Sequence, residues 1–169
     1  MAVRKYLKNN AGTITEETPA ITSAGAGDEG RITALDASGR LSASFMPVGV
    51  AIETQALVAS EALAAGDWVN LWDDAGAFKC RKADATTAGK EAHGFVLAAV
   101  AAAATATVFL EGTNTALASQ TPGVKFLSIT AGTGSATAPT AAGNVVQRLG
   151  VATSATTVNF EPSLPYVLA

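Results

Sequence analysis

The sequence predicts an all-β fold: a small antiparallel β-barrel or sandwich, preceded by an extended N-terminal arm that carries a short hairpin. Three observations lead there. Residues 51–169 break into short apolar runs separated by Gly, Pro and Asp, which is how short strands at regular spacing read. Neither alanine-rich segment, 60–65 or 99–104, sustains a long apolar stripe at the helical period of 3.6 residues. Residues 1–50 differ in texture from the rest, being polar and punctuated up to Met46-Pro47-Val48-Gly49, so the boundary between arm and body falls near Gly49.

The arm comes first. Its charges balance, with Arg4, Lys5, Lys8, Arg31 and Arg40 against Glu16, Glu17, Asp28, Glu29 and Asp36. Residues 31–35 (RITAL) and 40–45 (RLSASF) flank Asp36-Ala37-Ser38-Gly39, which predicts a short hairpin with Gly39 at the positive φ of a bulged turn. A lone hairpin is marginal in water, so this half is expected to gain order by lying on something else.

The body follows. Residues 67–72 (DWVNLW) read as a strand, Asp73-Asp74-Ala75-Gly76 as its turn, and residues 77–82 (AFKCRK) as the return. The return alternates, with Phe78 and Cys80 on one face and Lys79 and Arg81 on the other. Its partner is apolar on both faces, Trp68 and Trp72 against Val69 and Leu71, and such a strand must be covered on both sides. Further strands are expected at 94–100, 107–111, 124–130, 144–149 and 156–161, with Pro122-Gly123 and residues 131–134 supplying turns. The alanine-rich stretches 60–65 and 99–104 could each hold one helical turn. Residues 92–110 carry no formal charge over nineteen positions, long enough for a membrane helix. Their Ala-rich centre, internal His, Gly and Thr, and lack of a basic flank favour two strands instead.

Composition narrows the function. The chain has 169 residues, a net charge of −3 and a pI near 5.1. Alanine (37), threonine (20) and glycine (16) fill 73 positions, while aromatics make up only 6% and charged residues 15%. A basic nucleic-acid binder would show clustered Lys and Arg, and a disordered chain would carry more charge. One cysteine excludes an intramolecular disulfide framework. Apolar burial is worth about 25 cal/mol per Å², and alanine brings little area. A chain so poor in large side chains is therefore expected to bury surface against copies of itself. No apolar h-region follows the basic start, so no secretory signal is read there.

No catalytic constellation emerges. The single histidine, His93, has no orienting acid or nucleophile elbow beside it and reads as a strand-edge imidazole. Cys80 reads as a small buried hydrophobe. Asp73, Asp74 and Asp67 lack calcium-loop spacing and read as a solvated turn. Residues 25–30 (GAGDEG) lack the strand and helix of a dinucleotide loop. Lys79, Arg81 and Lys82 form the one basic cluster, read as solvated strand surface and too small for a phosphate-tracking groove. The expectation is a protein without catalytic residues, cofactor or metal.

Residues 30–47 (GRITALDASGRLSASFMP) resemble a segment of tailed-bacteriophage structural proteins of the form G-I-x-x-L-D-x-x-G-R-L-x-x-S-x-M-P. Residues 65–72 (AGDWVNLW), 81–84 (RKAD), 94–100 (GFVLAAV), 121–123 (TPG) and 144–150 (NVVQRLG) are similar to runs in phage capsid decoration (cement), head-fibre and tail-fibre proteins. The likeness spans most of residues 30–169. It implies a virion protein on the capsid exterior, made in the host cytoplasm. Such proteins form homotrimers that clamp neighbouring major capsid subunits, with no nucleic-acid or membrane partner. On that implication the arm anchors are Tyr6, Leu7, Ile32, Leu35, Leu41, Phe45 and Met46, and Trp68 and Trp72 belong to the body core or a subunit interface. The alternative is a fibre or host-recognition module.

Overall fold

The computed structural model describes residues 4–46 and 52–169, so the change of texture at Gly49 lies outside the described residues. The chain divides into two compact units, Met1–Ala51 and Ile52–Ala169. Among the described residues there is no α-helix, only strands, turns and two short 3-10 turns, and no helix long and apolar enough to cross a membrane.

The first unit does hold a hairpin, but not where the sequence placed it. Strands β1 (Tyr6–Asn10) and β2 (Thr13–Glu17) pair antiparallel. Their two-residue turn, Ala11-Gly12, takes φ of 50° and 91°, the positive pair that matches strand twist. Asn9 Oδ1 accepts the Gly12 N–H at 2.8 Å. Opposite charges then lock the register, Lys5 to Glu16 at 3.0 Å and Lys8 to Glu17 at 3.3 Å.

The expected 31–45 hairpin is corrected to a turn without strands. The turn itself forms: Asp36 N–H donates to the Arg40 carbonyl, and Asp36 Oδ1 accepts from Ser38 and Arg40 N–H at 2.8 and 2.9 Å. Its flanks find other partners. Ala20 and Thr33 form a parallel bridge, with Ala20 N–H to the Ile32 carbonyl at 2.9 Å and Ala34 N–H to the Ala20 carbonyl at 2.8 Å. Ser42 caps a 3-10 turn over Ala43–Phe45, and Ser44 Oγ accepts the Ser23 N–H. Each flank bonds residues 20–23 instead of its mirror image.

In the second unit, β3 (Thr54–Ala59), β4 (Trp68–Asp74), β5 (Ala77–Lys82), β6 (Gly94–Phe95) and β7 (Thr105–Phe109) close into a barrel in the order β3-β5-β4-β6-β7. Every neighbouring pair is antiparallel except β3 and β5, which are parallel through Val58–Lys79 and Ala59–Cys80. Closure removes sheet edges. Leu57, Ala59, Leu63, Val69, Cys80, Val96, Ala106 and Val108 fill the interior. Alternation supplies these residues strand by strand, and small ones suffice because a five-stranded barrel is narrow.

The second layer is a five-stranded antiparallel sheet. It contains β8 (Gly112–Asn114), β9 (Gly123–Leu127), β10 (Gly134–Ser135), β12 (Arg148–Ser154) and β13 (Thr157–Phe160), in the order β10-β9-β12-β13-β8. A two-stranded ribbon pairs β11 (Val145–Val146) with β14 (Tyr166–Val167). The sequence-predicted strand 94–100 stops at Phe95, because Val96 N–H bonds the Asp67 carbonyl and Val100 bridges Leu63. The predicted 144–149 strand divides between β11 and β12. Neither alanine-rich stretch forms helix. Residues 101–104 make a turn with Ala103 at φ 65°.

Barrel and sheet share a core of Trp68, Phe95, Leu127, Leu149, Val158 and Phe160. Buried amides pin the layers. Gln147 on the sheet side donates to the Ala92 carbonyl and accepts its N–H, at 3.0 and 2.8 Å. Asn114 donates to the Gly66 carbonyl at 2.9 Å. Asn114 Oδ1 accepts the Ala116 N–H, so both side chains have a partner at the nitrogen and at the oxygen, as buried amides generally do.

Candidate interaction surface

The first unit has almost no core of its own. Among its described residues only Ala20 is buried. What holds it together is polar. Arg31 donates to Asp28 Oδ1 at 2.7 Å and to the Thr18 carbonyl at 2.8 Å, and its Nε faces Glu17 Oε1 at 3.6 Å. The Tyr6 hydroxyl accepts the Ile32 N–H at 3.4 Å. The Glu17 carboxyl is held below its ordinary value, first by the Tyr6 hydroxyl and then by the Lys8 ammonium. Asp28 is lowered too, by the Ala24 N–H and then by Arg31. Sequence reading placed Arg31 in the charge balance and in a hairpin flank, and not at the centre of a polar cluster. Its i,i+3 spacing from Asp28 was the available signal.

Alternation along the hairpin settles which side chains remain free. Tyr6, Lys8, Thr15 and Glu17 share the face that meets Arg31 and residue 32. Leu7 and Ile14 share the opposite face and lie on neighbouring rungs, opposite Glu16 and Asn9. Both are exposed, as are Ile21, Ile32, Leu35, Leu41 and Met46, at 42% to 71% of their full surface. Of the seven residues expected as anchors, these include five, while Tyr6 and Phe45 are half-buried. Ile14 and Ile21 were missed because Ile14 sits among Thr and Glu and Ile21 between Ala20 and Thr22, with no apolar run to mark either.

The two tryptophans part company. Trp68 is buried in the shared core, edge-on to Phe95 at 5.7 Å and tilted against Phe160 at 5.2 Å. Trp72 is half-buried on the same side of β4, two repeats of the pleat further on. Its Nε1 donates to Ser60 Oγ at 3.0 Å, and the Arg81 guanidinium lies 4.6 Å over its ring. Beside it, Phe78 is exposed near the β4–β5 tip and lines an open groove of about 320 Å³ with Gln55, Leu71, Trp72 and Asp73.

The residues weighed for chemistry serve the fold. Cys80 lies inside the barrel, and burial pushes its thiol up, away from the nucleophilic thiolate. His93 acts as a strand surrogate: its Nδ1 accepts the Leu71 N–H at 3.1 Å, beyond the last β4–β6 pair, Val69 with Gly94. Asp67 accepts the Ala64 N–H at 2.8 Å and pairs with Lys82, while Asp74 pairs with Lys79 at 2.6 Å. Among the described residues no three His, Cys, Asp or Glu side chains converge as a metal-ligand group. The basic cluster is divided, for Arg81 bonds Asn70 Oδ1 and the Gly89 carbonyl. Comparison with protein families, with curated proteins and with solved structures finds no match.

Proposed function

We propose that this chain is a non-enzymatic virion structural protein that binds the outer surface of a phage capsid as an oligomer, a trimer in the simplest case, and stabilises the shell. One observation carries the reading. The first unit exposes seven large apolar side chains while burying only Ala20 among its described residues, which suits a segment whose core is completed by another protein. The resemblance of residues 30–47 to tailed-phage structural proteins, and of the body segments to capsid decoration and fibre proteins, supports the identity of that protein as the major capsid protein. The mechanism is additive contact: three copies of one weak surface bind strongly when all three engage.

The test is co-sedimentation of the full chain with heads stripped of their decoration, followed by heat and chelator challenge. The protein is expected to sediment with the heads and to raise their resistance. Heads that gain neither would overturn the reading. A chain lacking residues 1–49 is expected to keep its oligomeric state and lose head affinity. Binding to intact host cells in place of heads would move the assignment to a fibre or host-recognition module.

A further inference from the structure

Lys125, the third residue of β9, is 4% exposed. Among the described residues of the second unit, Lys79, Lys82, Lys90 and Arg148 each pair with a carboxylate. Arg81 is satisfied by an amide oxygen, a carbonyl and the face of Trp72. Lys125 is the most buried of the six, yet its Nζ makes one hydrogen bond, to the neutral Thr121 Oγ1 at 3.0 Å. Its register partner on β12 is Gly150, so no side chain stands directly opposite to balance the charge. An ammonium has three donors, and a buried cation without a counter-charge is costly.

We infer that Lys125 and Thr121 form a carboxylate-binding site. Thr121 is exposed, so its hydroxyl carries the pair to the surface. The hydroxyl accepts from Nζ and keeps its own proton to donate outward. Two donors 3.0 Å apart suit the two oxygens of one carboxylate, one bond from each. The single positive charge matches a monoanion, whereas a phosphate dianion calls for more charge than one ammonium supplies. The carboxylate can be free in solution or carried by a protein, a second copy of this acidic chain included. This site stands whether or not the capsid reading does.

The experiment follows the Lys125 side-chain resonances of the full chain by NMR at constant ionic strength, against sodium acetate, inorganic phosphate and protein concentration. Acetate is expected to shift them saturably, with an affinity about five- to tenfold weaker in Thr121→Val, the loss of one hydrogen bond to a charged group. Phosphate should act more weakly. If the carboxylate is protein-borne, the resonances move with protein concentration without acetate, and Lys125→Met lowers self-association where Lys79→Met does not. Resonances indifferent to both acetate and protein concentration would overturn the site. An equal response to phosphate and acetate would overturn its assignment to carboxylates. Thr121→Val, an exposed change, keeps the test open if Lys125→Met fails to fold.

Discussion

Trp68 of the barrel and Phe160 of the second sheet meet with ring centroids 5.2 Å apart and planes tilted by 33°, and Phe95 stands edge-on to both. In a chain with 6% aromatics, these three are gathered in the core that the two layers share. Each ring contributes burial and a further increment of about 0.5–1.5 kcal/mol from its aromatic contacts.

Phe160→Ala should therefore cost about 3–5 kcal/mol, because the layers cannot collapse into the space. Trp72→Ala should cost less, about 1–2 kcal/mol, since a half-buried ring, its hydrogen bond to Ser60 and its contact with Arg81 are lost. Urea unfolding of both variants checks the contrast. Equal losses would mean that the interlayer cluster is not where stability resides.

Gly150 lies at the irregularity between β12 and β9 with φ 145°, and a Cβ there would stand 1.8 Å from the Asn159 carbonyl oxygen. Gly150→Ala forces β13 away from β12 and is expected to destabilise by at least about 3 kcal/mol. Gly27→Ala, which meets nothing within 4 Å, should stay within about 0.5 kcal/mol. Thermal unfolding by circular dichroism separates the two.

Acid should loosen the first unit before the second. The folded-state values of Glu17 and Asp28 are lowered, so their ionised forms stabilise this unit above the ordinary carboxylate range. That stabilisation is lost as pH falls through the lowered values. In the second unit burial opposes the ionised form of Asp84, and its Thr86 and Lys90 contacts outweigh that, so it too is lowered. Two apolar cores remain there when it protonates. Amide exchange during acid titration should show residues 6–17 losing protection first, and Glu17→Gln should abolish part of that pH dependence. Simultaneous loss in both units would contradict the assignment.

Leu7 and Ile14 project from the outer face of the hairpin and form no ion pair themselves, Leu7 standing opposite Glu16 of the Lys5–Glu16 pair. Replacing both with Ser should leave folding nearly unchanged, within about 0.5 kcal/mol. On the capsid reading the same change should weaken head binding at least about tenfold, a loss near 1.4 kcal/mol per subunit magnified by avidity. Sedimentation binding curves measure it. Undiminished affinity would remove the hairpin from the contact surface.

Much of the second unit is legible in one dimension. The 68–82 hairpin follows from alternation and from Asp73-Asp74-Ala75-Gly76, and the two apolar faces of β4 announce that both are covered, one by the barrel interior and one by the sheet. Where local signals compete, the sequence misleads. The Asp36–Gly39 turn is real, but a turn does not oblige its flanks to pair when residues 20–23 offer closer donors and acceptors. The true hairpin at 6–17 is written in Ala11-Gly12 and in complementary Lys and Glu, a charge pattern more than an apolar one.

What the sequence determines by itself is the all-β class, the spacing of most turns and the scarcity of large side chains, because these depend on each residue and its near neighbours. What only the tertiary structure decides is how strands distant in sequence meet. The parallel join of β3 to β5 closes the barrel. Gln147 stands in for a strand at Ala92, and Lys125 is left with a lone hydroxyl. Those outcomes depend on long-range pairing, where the gain in burial and hydrogen bonding is settled only once both partners are in place.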